Sequence, residues 1–416
     1  MFALVDGNNF YCSCEQVFSP QLRGKPMVVL SNNDGCAIAR SAQAKALGIR
    51  MGQPAHELKD VVRTAGLQMR SANFGLYGDM SGRINRILQA AAPRVEVYSI
   101  DESFLDLTGI RNREAFCFDL RERVRRWTGI PNCIGIGPTK TLAKTANKMA
   151  KKGAGVIDLS EPAARNAALD SFPVGDVWGV GRKWEAKLLA MGIATAGQLR
   201  DASDGLLLEK FGVVLARTQR ELQGEACHQL EEVDPDRQQI MVSRSFGERV
   251  EDHEAVAQAV ATFAVRACEK LRKRGLTASA VWVFAGTDAF RPEMRQHHPS
   301  RSIPLLSATM DTRLVLSVVR HLMQGMLKKG HAYKRAGVVL MDLARPKDVQ
   351  ADLFQPAIVG NTALMETMDK INRKFGRGMM GVAASGFQVK PKWGMRQLQL
   401  SPHYTSRISD VPRATC

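Results

Sequence analysis

Short apolar runs alternate along this chain with amphipathic stretches at helical spacing, and the predicted elements follow from that alternation. Residues 2–6 (FALVD) read as a buried strand that delivers Asp6 to its exit. KPMVVL at 25–30 reads as a second strand, and Ala37–Leu47 carries a helical pattern stopped by Gly48. VEVYSIDESFLDL, between Arg94 and Leu107, predicts two short strands around a polar turn, with Asp101 and Glu102 near the tip. Asn112–Thr128 is a predicted helix with one strongly basic side, Asn132–Ile136 a strand, and Thr139–Lys152 a lysine-studded helix.

The composition changes after Leu159, where an alanine-rich stretch with short loops predicts a small helical domain. From Met241 the order becomes strand, helix (Glu254–Arg274), strand, strand (near Ile303–Leu306), helix (Thr312–Met326), strand (Ala336–Leu343), a βαββαβ arrangement. After Arg345 the periodicity fades into a basic tail rich in glycine and methionine, which reads as a linker and docking segment. There is no internal repeat. At 416 residues the chain exceeds one ordinary hydrophobic core, so two to four domains are expected.

Charge narrows the function. Lys and Arg total 58 against 41 Asp and Glu, and the resulting +17 favours a polyanionic partner, nucleic acid first, although basic residues also solubilise surfaces. A hydrophobic content of 45% with 24% charged residues is that of a globular protein, with no sign of a membrane span. The start MFALVDGNNF lacks a secretory pattern, so a cytoplasmic chain is expected. Cys12, Cys14, Cys36, Cys117, Cys133, Cys227, Cys268 and Cys416 show neither CxxC pairs nor zinc-ligand spacing and read as scattered reduced thiols.

The candidate chemistry is carboxylate chemistry. In a regular strand the adjacent Asp101 and Glu102 would leave on opposite faces, whereas at a turn both can converge on one ion; spacing alone leaves this open. With Asp6 they supply the hard oxygen ligands that Mg²⁺ prefers. Two such ions about 4 Å apart can activate a primer 3′-oxygen and neutralise a leaving pyrophosphate, which is nucleotidyl transfer. Taken in isolation, Asp-Glu is also a common dipeptide and a strand-terminal Asp a common cap.

Three runs carry a resemblance: DGNNFY at 6–11, YSIDESF at 98–104 and GIGPTKTLAKTANKMAK at 135–151. They resemble the Y-family translesion DNA polymerases, and most closely the UmuC type, from residue 1 to the YTSR stretch near the C-terminus. The resemblance implies an α+β multidomain, right-handed polymerase: palm (1–11 and 75–165), small fingers (12–74), helix-hairpin-helix thumb (166–235), βαββαβ little finger (240–345) and C-terminal tail (346–416). It implies that Asp6, Asp101, Glu102 and the backbone carbonyl of Gly7 hold two Mg²⁺ ions, and that the reaction is error-prone synthesis past damaged bases in the SOS response.

The resemblance further places Tyr11 where the family carries its steric gate against a ribose 2′-hydroxyl, beside Phe10, with Lys45 and Lys151 where relatives place cations on the triphosphate. Arg40 is expected to assist, because Ala42 stands where several relatives carry a phosphate-binding Tyr. The fingers region offers few large aromatics to press on a nascent base pair, so loose checking of shape is expected.

Gly179-Val180-Gly181 between two short helices resembles a helix-hairpin-helix turn whose backbone N–H groups meet a DNA phosphate, with Arg182 and Lys183 adding charge. Arg244, Arg266, Lys270, Arg272, Lys273 and Arg274 form a basic set of which only some can face DNA. Gln350-Ala351-Asp352-Leu353-Phe354 looks like the peptide by which bacterial polymerases bind the sliding clamp, with Gln350, Leu353 and Phe354 as its anchors. The tail resembles the UmuC-specific C-terminus, which implies partnership with a processed UmuD-type dimer and with RecA, besides primer–template DNA and dNTP. Two other readings stand beside this one: a clamp-tethered scaffold with a decayed site, and a palm-like nucleotide cyclase.

Overall fold

A computed structural model of the chain describes residues 1–231, 236–349, 360–376, 378–386 and 391–411. It divides into two compact units, one comprising Met1–Ser31, Gly35–Asp234 and Gln399–Cys416, the other Asn32–Asp34 and Pro235–Leu398.

In the first unit a five-stranded sheet runs in the order Val95–Val97, Glu102–Asp106, Phe2–Gly7, Asn132–Gly137, Val156–Asp158. The central Phe2–Gly7 strand is buried along its whole length, as a continuous apolar run between two neighbours requires. The helix Lys140–Ala150 lies close against this sheet because the facing strand carries glycine. A Cβ on Gly135 would overlap the backbone of Ala143 and Asn147. Asn147 completes the contact by donating to the carbonyls of Leu4 and Cys133.

A second, three-stranded sheet, Ala37–Arg40, Met27–Leu30, Gln68–Ser71, carries its own small core around Val28, Leu30 and Leu58. Here the structure corrects the sequence reading. Ala37–Leu47 is a strand (Ala37–Arg40) followed by a short helix (Ala42–Ala46), because the Ser41 hydroxyl accepts from the Ala44 N–H and caps a helix start in mid-pattern. The expected stop holds: Gly48 adopts φ 75° and donates to the Lys45 carbonyl.

The helical stretch after residue 160 comprises Pro162–Ser171, Arg182–Ala190, Ala196–Asp201, Asp204–Phe211 and Val213–Gln223 around Leu169, Leu188, Leu199 and Leu215. Buried Glu221 ties it to the sheet layer: one carboxylate oxygen accepts from the Thr141 N–H and hydroxyl, the other from the N–H groups of Cys227 and His228.

The second unit has the βαββαβ order expected: Gln239–Val250, His253–Lys273, Thr277–Thr287, Ser300–Thr309, Thr312–Met323, Tyr333–Ala344. Its four-stranded antiparallel sheet runs in the order Ser300–Thr309, Thr277–Thr287, Tyr333–Ala344, Gln239–Val250, with both helices packed over one core. The tail is more ordered than its fading periodicity predicts. Thr362–Phe375 is a helix that buries Met365 and Met368 and pairs Asp369 with Arg272. No described helix is long and apolar enough to cross a membrane, and the seven described cysteines are free.

Candidate active site

The sheet register brings the three acidic residues to one end of the central strands. Asp6 lies directly opposite Glu102 across an antiparallel pair, so the two side chains share a face. The next residue, Gly7, donates its N–H to the Asp101 carbonyl at 2.9 Å and fixes the turn beside it. Ser99 shapes that turn: its hydroxyl donates to Asp101 Oδ1 (2.8 Å) and accepts from the N–H groups of Asp101 and Glu102. The backbone therefore sets Asp101 and Glu102 beside Asp6 at one end of the sheet.

Lysines hold two of the three carboxylates. Lys151 Nζ lies 2.7 Å from Asp6 Oδ2, and Lys144 Nζ lies 3.0 Å from both oxygens of Glu102. Lys144 also sits over the rings of Tyr98 (4.5 Å) and Trp178 (5.4 Å), a cation–π arrangement. Burial pushes the Asp6 carboxyl up to about 6; Lys151 opposes that rise, and the charges of Glu102 and Asp101 add to it. A buried carboxylate whose ionisation is made costlier by burial and by two neighbouring carboxylates is one that a hard divalent cation relieves, and the donors are all oxygen. Among the described residues no three His, Cys, Asp or Glu side chains close into an ion cage as they stand. The chemistry of the donors fits a divalent metal, and the ammonium groups on Asp6 and Glu102 stand where positive charge is stabilised.

A second cluster is cationic. Lys45 Nζ donates to Asn9 Oδ1 at 2.6 Å, and its pKa is lowered by burial and by the charges of Arg40 and Lys151. Gathered cations of this kind give a local positive potential that attracts anions. Arg40 is partly committed, with Nη1 on the Ile49 carbonyl at 2.7 Å, while its buried Nε has no hydrogen-bond partner among the described residues. Asn9 occupies the left-handed region (φ 49°), a conformation Asn tolerates, and starts the helix Phe10–Phe18.

Tyr11, on that helix, is half-buried. Its ring stacks on Tyr77 (4.4 Å, 15°) and meets the edge of Phe74 (6.1 Å, 88°). Phe10 is buried in the core. The candidate DNA-binding residues Gly179, Gly181, Arg182 and Lys183 are all exposed. Gly179 takes φ 92°, which explains glycine at that turn, and Gly181 caps the helix Arg182–Ala190. The element before the turn is a single 3₁₀ turn, Val174–Asp176, rather than a regular helix. Arg244 lies exposed on the Gln239–Val250 strand. Arg272 is a correction to the basic set: its guanidinium is buried, held by Asp369, the Met310 carbonyl and the Thr312 hydroxyl, and is structural. Gln350, Leu353 and Phe354 lie outside the described residues.

Sequence reasoning missed Asn9, Ser99, Lys144 and Trp178. A serine two residues before the Asp-Glu pair was a readable turn signal. Nothing local announces the Lys144–Glu102 pair, whose partners are far apart in the chain.

Comparison with known proteins decides the family. The chain matches the impB/mucB/samB family at residues 5–148 and that family's C-terminal domain at 237–353, followed by a domain of unknown function (DUF4113) at 362–414. It is 44% identical to Protein UmuC of Salmonella typhimurium over 99% of this chain and 100% of that protein. The chain belongs to the UmuC-type Y-family translesion DNA polymerases. It is also 29% identical to DNA polymerase IV of Moorella thermoacetica, covering 92% of this chain and 95% of that one. Its fold matches a Y-family DNA polymerase chimera of Dbh and Dpo4 with a TM-score of 0.69, at 21% identity, over 83% of this chain and the whole of the other. The α+β multidomain polymerase fold expected from the sequence is thus the one observed, and the chain is a DNA-directed DNA polymerase of the translesion class.

Proposed function

We propose that this enzyme extends primers past damaged template bases in the SOS response through two Mg²⁺ ions held by Asp6, Asp101, Glu102 and the Gly7 carbonyl. The observation that carries the reading is the pairing of Asp6 with Glu102 across adjacent strands, beside Asp101. When bound, the ions lower the pKa of the primer 3′-hydroxyl and neutralise the leaving pyrophosphate.

The chain's own residues do the rest. Lys45 and Lys151, with Arg40, seat the triphosphate, and Lys151 leaves Asp6 to do so. Tyr11, over Phe10, is the sugar gate: a ring braced by Tyr77 and Phe74 leaves no room for a 2′-hydroxyl. The five-stranded sheet corresponds to the palm (1–11 and 75–165), the three-stranded sheet to the fingers (12–74), the helices to the thumb (166–235), the four-stranded unit to the little finger (240–345), and residues 346–416 to the tail. Gly179, Gly181, Arg182, Lys183 and Arg244 grip the DNA backbone without reading sequence, so binding is nonspecific and salt-sensitive.

Gln350, Leu353 and Phe354 dock on the sliding clamp, which raises the local concentration of primer ends. A processed UmuD-type dimer and RecA are its further partners in the cytoplasm. Primer extension across a single abasic site in Mg²⁺, with the full chain and Asp6→Ala, tests the reading. Incorporation falls to background in the variant; equal incorporation by both ends the assignment.

A further inference from the structure

The segment of unknown function at the C-terminus returns to the wall behind Tyr11. Gln399 accepts from the Ser71 N–H at 3.0 Å and donates its own N–H to the Ser71 hydroxyl at 3.0 Å, and Leu400 pairs with Ser71 as a one-residue parallel bridge. Tyr404 stacks flat on Phe18 (5.0 Å, 8°), with its hydroxyl 3.1 Å from that of Ser19. These contacts pin a short strap whose centre, Ser401, is buried.

Ser401 has two connections. Its hydroxyl donates at 3.1 Å to Glu15 Oε1, the same oxygen that receives the Tyr77 hydroxyl at 2.8 Å. Glu15 is fully buried, and its other oxygen has no hydrogen-bond partner among the described residues, so these two hydroxyls set how the carboxylate is turned. The strap also takes the amide of Asn73, which donates to the Ser401 hydroxyl (3.0 Å) and to the Pro402 carbonyl (3.3 Å). Through its own oxygen Asn73 caps the helix Phe74–Ala91, the helix that presents both Phe74 and Tyr77 to the Tyr11 ring.

We infer that the strap Gln399–Tyr404 is a positioning element for sugar selection: Ser401, through Glu15, fixes the Tyr77 ring on which Tyr11 stacks. The inference rests on Tyr11 being the gate. Removing the Ser401 hydroxyl takes one of two donors from a buried carboxylate and one acceptor from a buried amide. The carboxylate is then free to turn, Tyr77 loses its fixed partner, and the wall beneath the sugar acquires play. A deoxyribose needs no contact with that wall, whereas a ribose gains whatever room the wall yields.

The test is single-nucleotide insertion by the full chain on primer–template DNA in Mg²⁺, with matched dNTP and rNTP, for wild type, Ser401→Ala, Ser401→Thr, Tyr11→Ala and the Tyr11→Ala/Ser401→Ala pair. Ser401→Ala lowers the dNTP-over-rNTP ratio of kcat/KM by about fivefold, the scale of one lost hydrogen bond. The change sits in the rNTP KM, and dNTP insertion moves by less than about twofold, because a deoxyribose makes no contact with the wall that gains play. Ser401→Thr, which keeps the hydroxyl, restores the ratio. In the Tyr11→Ala background Ser401→Ala adds nothing, because the ring it positions is gone.

An unchanged ratio in Ser401→Ala, or the same loss with and without Tyr11, overturns the inference. Tyr11→Ala with wild-type discrimination marks instead the failure of the gate reading on which it rests. Should Ser401→Ala not fold, Tyr77→Phe carries the same test, since it removes the other hydroxyl from Glu15 and keeps the ring.

Discussion

Replacing Lys144 with methionine removes the ammonium from Glu102 while keeping a straight stem against Tyr98 and Trp178. The Lys144–Glu102 pair is bidentate at 3.0 Å, with side chains 14% and 21% exposed. At an effective dielectric of about 20, unit charges at this separation attract by about 5 kcal/mol. Desolvation offsets more than half of that, leaving about 2 kcal/mol of net stabilisation in the metal-free chain. Under the proposed function Glu102 belongs to the ion once Mg²⁺ is bound, and the pair then contributes nothing. Lys144→Met therefore destabilises only the metal-free state, and Mg²⁺ affinity rises by about thirtyfold, since 1.4 kcal/mol is tenfold. Thermal unfolding with and without Mg²⁺ reads this directly: the metal-free variant melts roughly 4–8 °C below wild type, and saturating Mg²⁺ closes the gap. A Mg²⁺-induced rise no larger in the variant than in wild type refutes the reasoning, because Glu102 would then not exchange its lysine for the metal.

Two further outcomes follow from other charged groups. Asp6 titrates near 6 in the metal-free chain, and the metal takes only its ionised form. Mg²⁺ affinity measured by calorimetry is therefore flat above about pH 7 and falls roughly tenfold per unit as the pH drops below 6, with proton release on binding; a pH-independent affinity between 5 and 7 contradicts this. Arg272→Ala strips Asp369 of its partner and unties the Thr362–Phe375 helix from the second unit. It lowers that unit's stability by about 3 kcal/mol in denaturant unfolding while primer extension persists; loss of extension with unchanged stability would return Arg272 to the DNA-binding set.

Elements with strong periodicity were legible in the sequence. The Phe2–Gly7 strand, the Val95–Asp106 hairpin and the βαββαβ unit all announce themselves through apolar spacing and turn residues. Failures came where a capping side chain or a distant partner decides. Ser41 turns part of an apparent helix into a strand, and the helical spacing of Leu364, Met365, Met368 and Ile371 in Thr362–Phe375 is a short pattern inside a basic tail rich in glycine and methionine.

The candidate site was legible only through the family resemblance, because spacing alone left open whether Asp6, Asp101 and Glu102 meet. The register that pairs Asp6 with Glu102 is a property of the folded sheet, and Lys144 on Glu102 and Ser401 on Glu15 join residues 42 and 386 positions apart and leave no local trace. Composition pointed to a polyanionic partner without identifying which of the 58 basic side chains would face it.

A structure of the chain bound to primer–template DNA, Mg²⁺ and a non-hydrolysable dNTP analogue tests the central claim most directly. The account predicts two metal ions at about 2.1 Å from oxygens of Asp6, Asp101, Glu102 and the Gly7 carbonyl, with Lys151 moved from Asp6 to the triphosphate. Metal ions held elsewhere, with the Lys151–Asp6 and Lys144–Glu102 pairs intact beside the bound nucleotide, would contradict it.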